Sequence, residues 1–287
     1  MTEILSYITW NPDAEMIRIG GFAVRWYSMC WLVGLALAYF LVRKLYKEQK
    51  VKDGLFDPLF IYCFIGILLG ARLGHCIFYE PEYWLSSPQH VFEIFVPIRF
   101  MPDGSWKFTG YEGLASHGGT IGLTVALIIY WLRVRKHGLG IWQILDNIAI
   151  ATPITACFIR LGNLVNSEII GKVTDVPWAF IFERVDMSPR HPGQLYEAIA
   201  YAIFFPIGWY LYRKHPERVG TGFFFGLCLV LIFTFRFFIE YTKDIQVAKE
   251  AAMTLNIGQM LSIPFVLIGL YCMWRSFKTV RNENTNN

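Results

Sequence analysis

Charge is scarce in this chain. Asp, Glu, Lys and Arg make up 17% of its 287 residues, below the ~25% of soluble domains, while hydrophobic residues reach 55% and the mean hydropathy is +0.39. That composition excludes a disordered or fibrous chain, and a single soluble domain of this length could not hide so much apolar surface from water. Cysteine motifs are lacking too. Cys30, Cys63, Cys76, Cys157, Cys228 and Cys272 all lie in apolar runs without CxxC spacing, so they read as small core hydrophobes rather than a disulfide frame or zinc site. The net charge of +4 is spread over short loops, which speaks against a nucleic-acid partner. The first residues have no basic n-region and carry Glu3, Asp13 and Glu15. They do not read as a secretory signal peptide, and are expected to form an amphipathic segment on a membrane surface.

Long apolar runs are what the sequence does have. Crossing about 30 Å of hydrocarbon takes about 20 mostly apolar residues, and seven stretches qualify: 22–42, 56–79, 114–132, 141–162, 193–212, 221–241 and 257–275. In lipid their backbones must satisfy themselves, so they are read as helices; the short alternating strands of a β-barrel are not seen. The expected fold is an all-α integral membrane protein of seven transmembrane helices, one polytopic domain over 1–287. Basic residues set its orientation. Compact clusters follow helices 1, 3, 5 and 7: Arg43, Lys44, Lys47, Lys50 and Lys52; Arg133, Arg135 and Lys136; Arg213, Lys214 and Arg218; Arg275, Lys278 and Arg281. The opposite side holds the sparser Arg18, Arg99, Lys107, Lys172, Arg184, Arg190, Lys243 and Lys249. The N-terminus is therefore expected outside and the C-terminus in the cytoplasm, with two ordered outer caps at 80–113 and 163–192.

Four arginines do not fit this scheme: Arg25, Arg72, Arg160 and Arg236, expected in the outer halves of helices 1, 2, 4 and 6. A guanidinium within hydrocarbon costs at least ~2.5–3.5 kcal/mol on insertion scales. Each either snorkels to the interface, makes a fixed ion pair, or faces inward to an anion. Glu197 and Glu240 are the internal anions, and Glu240 shares a helical face with Arg236 four residues earlier. Guanidiniums outnumber carboxylates, and their planar fork suits phosphate. Composition and placement together suggest a polar chamber in the outer half that holds a phospholipid headgroup.

A repeated pattern accompanies the arginines. Arg72-Leu73-Gly74-His75 and Arg160-Leu161-Gly162-Asn163 each close a span, and Glu80 and Glu168 follow eight residues after each arginine. The next helices open with His117-Gly118-Gly119 and His191-Pro192-Gly193. A parallel two-helix repeat is the expectation. His117 is read either as a helix-start residue or as a general base near neutral pH, and its two glycines as allowing close backbone approach and leaving room for a ligand. No GxSxG elbow surrounds Ser116, so a serine hydrolase is not expected. The segment from Arg160 to Gly171, with Asn163, Asn166 and Glu168, can hold a phosphate and hydroxyls together, or simply end a helix. Tyr27 adds a hydroxyl at similar depth, or belongs to an interfacial aromatic belt.

These residues, taken in order, carry a resemblance. Arg25-Trp26-Tyr27, Gly70-Ala71-Arg72-Leu73-Gly74, His117-Gly118-Gly119, Arg160 to Gly171, His191-Pro192-Gly193-Gln194-Leu195-Tyr196-Glu197, Arg236-Phe237-Phe238-Ile239-Glu240 and Gly258-Gln259-Met260-Leu261-Ser262 resemble the bacterial prolipoprotein diacylglyceryl transferases over nearly the whole chain. The resemblance implies seven spans with the N-terminus outside, in a bacterial cytoplasmic (inner) membrane. It implies transfer of the diacylglyceryl group of phosphatidylglycerol to the lipobox cysteine thiol in the signal peptide of a prolipoprotein, giving a thioether and glycerol phosphate, with no metal or other cofactor. Carried over residue by residue, Arg160 and Arg236 match the phosphate-side arginines and His117 the essential histidine. Tyr27, Gly118, Asn163, Glu168, Gly171 and Glu240 match further headgroup-side positions, with Arg72, Arg25 and His191 as secondary candidates. Ser167 stands where many members carry Gly. The outer loop Tyr83–Tyr111 and the one after Gly171 match poorly and are expected to shape which prolipoproteins are accepted.

The implied chemistry needs a thiolate. His117 is expected to take the thiol proton, with Arg160 and Arg236 on the phosphate; alternatively His117 only binds the headgroup and the arginines acidify the thiol. An anionic-lipid transporter or flippase remains a rival, though it would want a polar path inward, where only Asp57 and Asp146 lie. A seven-helix receptor would leave the arginines unexplained.

Overall fold

Every apolar run forms a helix in the computed structural model, which describes residues 7–20, 22–101, 103–109, 113–244 and 253–286. Expectations for Glu3, Tyr111 and Lys249 lie outside the described residues. In chain order the elements are β1 (Ile8–Trp10), β2 (Glu15–Ile19), β3 (Phe22–Arg25), α1 (Trp26–Glu48), α2 (Phe56–Phe78), α3 (Pro81–Trp84), α4 (Pro88–Phe95), β4 (Ile98–Phe100), β5 (Trp106–Phe108), α5 (Ser116–Val134), α6 (Ile141–Val165), β6 (Phe180–Phe182), β7 (Pro189–Arg190), α7 (Gly193–Lys214), α8 (Phe223–Ile239) and α9 (Ile257–Asn286).

Among the described residues, six stretches are long and apolar enough to cross a membrane: Trp26–Glu48, Phe56–Phe78, His117–His137, Ile141–Val165, Phe223–Thr242 and Ile257–Thr279. The chain is thus mostly helical with a multi-pass composition. The remaining expected span forms α7 but falls short in apolarity. Gln194 and Glu197 lie fully buried in its first turns, and Arg213 and Lys214 close it. The structure is consistent with an all-α membrane protein, with small additions that the sequence did not announce. Short strands pair into three small sheets, ordered β1-β6-β7, β2-β3 and β4-β5. Residues 8–10, 15–19 and 22–25 are strands, and Arg25 ends β3 instead of lying within helix 1.

The chain divides into two compact units, Glu48–Ile141 and the larger Met1–Lys47 with Trp142–Asn287. In the smaller unit α2 and α5 bring their backbones together. Glycines at 70 and 74 on α2 meet Gly118 on α5: a Cβ on Gly118 would strike the Gly70 carbonyl and lie 2.8 Å from the Gly74 Cα. The smaller cap, with α3, α4 and the β4-β5 hairpin, encloses Cys76, Trp84 and Ile94. Ser87 caps α4 by accepting the His90 N–H at 3.2 Å, with Pro88 at the first helical position.

In the larger unit α8 packs on α9 and on α7, and α7 reaches α6 through Ala198, Ala200 and Tyr201 against Cys157. The fully buried Asp146 on α6 accepts N–H bonds from Gly220 and Gly222, both at 2.9 Å, and from Phe225 at 2.8 Å. It satisfies amides that the start of α8 leaves unpaired. The expected two-helix repeat does not hold. Gly74 lets α2 and α5 touch backbone to backbone, whereas the matching Gly162 lies under Tyr27 of α1, and α6 meets α7 through side chains.

Candidate active site

Three helix ends of the larger unit converge on one line of alternating charge. Arg160 near the end of α6 lies with its Nε 3.0 Å from Glu197 Oε2 on α7. That oxygen accepts no directed hydrogen bond among the described residues, so the contact is an ion pair rather than a hydrogen bond. Glu197 Oε1 accepts instead from Tyr201 Oη and from Lys243 Nζ, both at 3.3 Å. Lys243 Nζ also donates to Glu240 Oε1 at 2.7 Å. Glu240 lies one turn after Arg236 on α8, whose Nε is 3.7 Å away, and its Oε2 accepts from Asn256 Nδ2 at 3.2 Å. The order is therefore Arg160, Glu197, Lys243, Glu240, Arg236: three cations on two carboxylates. The middle is sealed and the Arg236 end is open, since Glu197 is 0% exposed and Lys243 4%, against 36% for the Arg236 side chain and 15% for that of Arg160.

Arg160 also leads outward. Its Nη1 donates to Asn163 Oδ1 at 3.3 Å, Asn163 Nδ2 donates to Glu168 Oε2 at 3.0 Å, and Asn166 Nδ2 donates to Glu168 Oε1 at 3.0 Å. Gln194 Nε2 donates to the Glu168 carbonyl, tying this turn to α7. The turn is strained: Ser167 sits at φ +56° and the β-branched Ile169 at φ +57°. Next along the chain, Gly171 allows three segments to meet. Its N–H donates to the His191 carbonyl at 2.9 Å, and it bridges antiparallel to Lys243. A Cβ there would fall 2.5 Å from the His191 carbonyl oxygen and 2.7 Å from that of Thr242. Gly171 thus places the backbone that carries Lys243.

The expected candidates divide by what surrounds them. Tyr27 packs on Gly162, two residues after Arg160, and its hydroxyl accepts from Trp31 Nε1 at 3.2 Å. Arg25, Glu168 and Asn166 line an open polar cavity of about 600 Å³ with Asp13, Glu15, Arg18 and Arg184. His191 faces Tyr196, whose hydroxyl is 3.2 Å from its Nδ1, and burial lowers its pKa. Beside it, Arg190 grips Asp186 at 2.6 Å and Asp244 at 2.7 Å, and hydrogen bonding to Arg190 holds the Asp186 carboxyl below its ordinary range.

His117, Gly118 and Arg72 belong to the smaller unit. His117 is exposed in the first turn of α5. Gly118 does not leave room for a ligand, because the α2 backbone already fills that space. Arg72 is not awaiting an anion: it donates to the carbonyls of Glu93 and Ile94, both at 3.3 Å, and lies 4.2 Å above the Trp84 ring.

Lys243 was missed as a site residue because its charge was assigned to the outer loop. Its spacing was the available signal. It follows Arg236 by seven residues and Glu240 by three, and so continues their face beyond the helix end.

The model of the family described as prolipoprotein diacylglyceryl transferase matches residues 14–275. The chain belongs to that family. A phosphatidylglycerol–prolipoprotein diacylglyceryl transferase of Bacteroides fragilis is 56% identical over 274 residues, covering 96% of this chain and 97% of the relative. Relatives of the same description from Tolumonas auensis and Porphyromonas gingivalis are 44% and 37% identical, covering 94% and 95% of this chain and 97% and 96% of their own lengths. Within the diacylglyceryl transferase family match fall both arginines, both carboxylates and Lys243, as well as His117.

Proposed function

We propose that this protein transfers the diacylglyceryl group of phosphatidylglycerol to the lipobox cysteine of prolipoproteins, the opening step of bacterial lipoprotein maturation. Family membership supports the reaction, and the charged line from Arg160 to Arg236 supports the headgroup site. That line carries one positive charge more than its carboxylates neutralise, which suits a phosphodiester monoanion.

In the proposed step, thiolate sulfur attacks the glycerol carbon that bears the phosphate ester. A C–S bond forms and the C–O bond breaks, its electron pair leaving on the phosphate oxygen. The phosphate passes from one negative charge to two, and Arg160 and Arg236 stabilise the added charge as preorganised donors. Glu240 orients Arg236, while Tyr27, Asn163 and Glu168 hold the glycerol headgroup. Gly171 acts through the backbone it brings together. His117 takes the thiol proton. The reading includes seven spans in one membrane domain, α7 among them as a helix shielded by its neighbours, with the N-terminus and the chamber outside a bacterial inner membrane. The divergent outer caps select among prolipoproteins.

Purified protein incubated with phosphatidylglycerol and a lipobox peptide tests the reading. A mass gain of one diacylglyceryl group on the peptide cysteine is expected. Lipid binding without any gain would favour the flippase alternative instead. A His117→Gln variant is expected to lose about 10²–10⁴-fold in rate while still binding lipid; turnover at the wild-type rate would remove the base assignment.

A further inference from the structure

Lys243 is a buried ammonium with no obvious reason to be there, since desolvating a charge is costly unless strong partners repay it. Its partners are the two carboxylates that also hold the arginines. Glu240 Oε1 lies 2.7 Å from Lys243 Nζ but 3.7 Å from Arg236 Nε, so the lysine takes the close contact and Arg236 keeps a longer ion pair that leaves its charge less neutralised. Glu197 is shared instead, Oε1 with Lys243 at 3.3 Å and Oε2 with Arg160 at 3.0 Å, so one carboxylate serves two cations. The lysine cannot wander, because its backbone pairs with Gly171 and the Lys172 N–H donates to the Thr242 carbonyl at 2.8 Å.

We infer that Lys243 is a positioning residue of the transferase site: by occupying Glu240 and sharing Glu197 with Arg160 it keeps the two carboxylates from cancelling the charge of both arginines, and so sets the positive charge left for the lipid phosphate. The inference rests on the transferase reading above. Without the lysine, two arginines would face two carboxylates. Arg236 and Glu240, four residues apart on one helical face, would close into a pair, and the phosphate would have to compete with a carboxylate for each guanidinium.

Charge restoration separates this role from a merely structural one. Lys243→Met, Lys243→Arg and the double variant Lys243→Met/Glu240→Gln are compared by steady-state kinetics with varied phosphatidylglycerol and by binding to phosphatidylglycerol nanodiscs. Lys243→Met is expected to raise the KM for phosphatidylglycerol about tenfold or more, as loss of a supporting group does at metal sites, with little change in the KM for peptide. Lys243→Arg keeps the charge and is expected within about threefold of wild type, a discount for its different geometry. The double variant restores the surplus and is expected to bind phosphatidylglycerol more tightly than Lys243→Met. Unchanged KM and lipid affinity in Lys243→Met overturn the inference. So does a double variant that folds with the wild-type thermal midpoint yet binds no better than Lys243→Met. Should Lys243→Met not fold, the double variant is compared with Glu240→Gln, and the inference requires the double variant to bind phosphatidylglycerol more weakly than that single variant; equal binding overturns it. Nanodisc binding needs no turnover. A wild-type protein that binds lipid but forms no thioether would therefore defeat the transferase reading while leaving the charge test readable.

Discussion

Arg160 divides its guanidinium among a carboxylate, an amide and the Tyr201 hydroxyl: Glu197 offers an ion pair without a directed hydrogen bond, Asn163 a bond of 3.3 Å, and Tyr201 a side-chain hydrogen bond. Donors remain for a phosphate. Arg160→Lys keeps the charge but replaces the planar fork with a point donor. It is expected to lower kcat about 10²–10³-fold, the scale of losing a preorganised donor, and undiminished rate and lipid affinity would refute the phosphate role. His191 makes a different prediction. Burial lowers its pKa from an ordinary value near 6.5, so the folded state favours the neutral ring. Its contribution to stability is present above that value and is lost as pH falls below it, because the unfolded chain takes up the proton first. The thermal midpoint in detergent is expected to fall more between pH 7.5 and 5.5 for wild type than for His191→Gln. At this scale much was legible in sequence. Glu197 and Glu240 were expected as the internal anions, with Glu240 on the face of Arg236; that pair forms at 3.7 Å, and Glu197 is found against Arg160, a pairing no spacing indicated. The partners of Arg72 were not legible either, because the carbonyls of Glu93 and Ile94 that hold it lie about twenty residues away in a cap whose path no local pattern describes.

Elements were legible in proportion to their length. Helices of 17 to 30 residues announced themselves by sustained apolarity, while strands of two to five residues did not. β1 forms because β6, some 170 residues later, offers it a parallel edge, Ile8 opposite Phe180. A three-residue strand has no signal of its own beyond that partner. The repeated Arg-Leu-Gly string shows the opposite failure, a real pattern without a shared structure. At Gly74 the missing side chain admits another helix backbone; at Gly162 it admits the ring of Tyr27. Gly118 belongs with Gly74, and its importance is as packing. Gly118→Leu is expected to destabilise the α2–α5 pair by at least ~1–3 kcal/mol, the ordinary cost of overfilling a packed contact. A lowered thermal midpoint checks this, and an unchanged one would return Gly118 to the ligand side.

For the whole molecule, the proposed topology rests on the basic clusters after the first, third, fifth and seventh apolar runs. It predicts that alkaline phosphatase fused within the 80–113 cap is active and that the same enzyme fused at the C-terminus is inactive. The reverse pattern would overturn the orientation and the outer placement of the site together. By itself the sequence determined the membrane class, because apolar runs and excluded charge are local properties that bilayer thickness and dielectric translate directly into spans. It determined the arginines as anomalies for the same reason. Only the tertiary structure decided which anomalies form a site. Arg72 is satisfied by its own cap and Arg25 ends a strand, whereas Arg160 and Arg236 are joined through Glu197, Lys243 and Glu240. A charge balance is a property of groups brought together, and three helix ends separated by tens of residues acquire one only when folding buries them against each other.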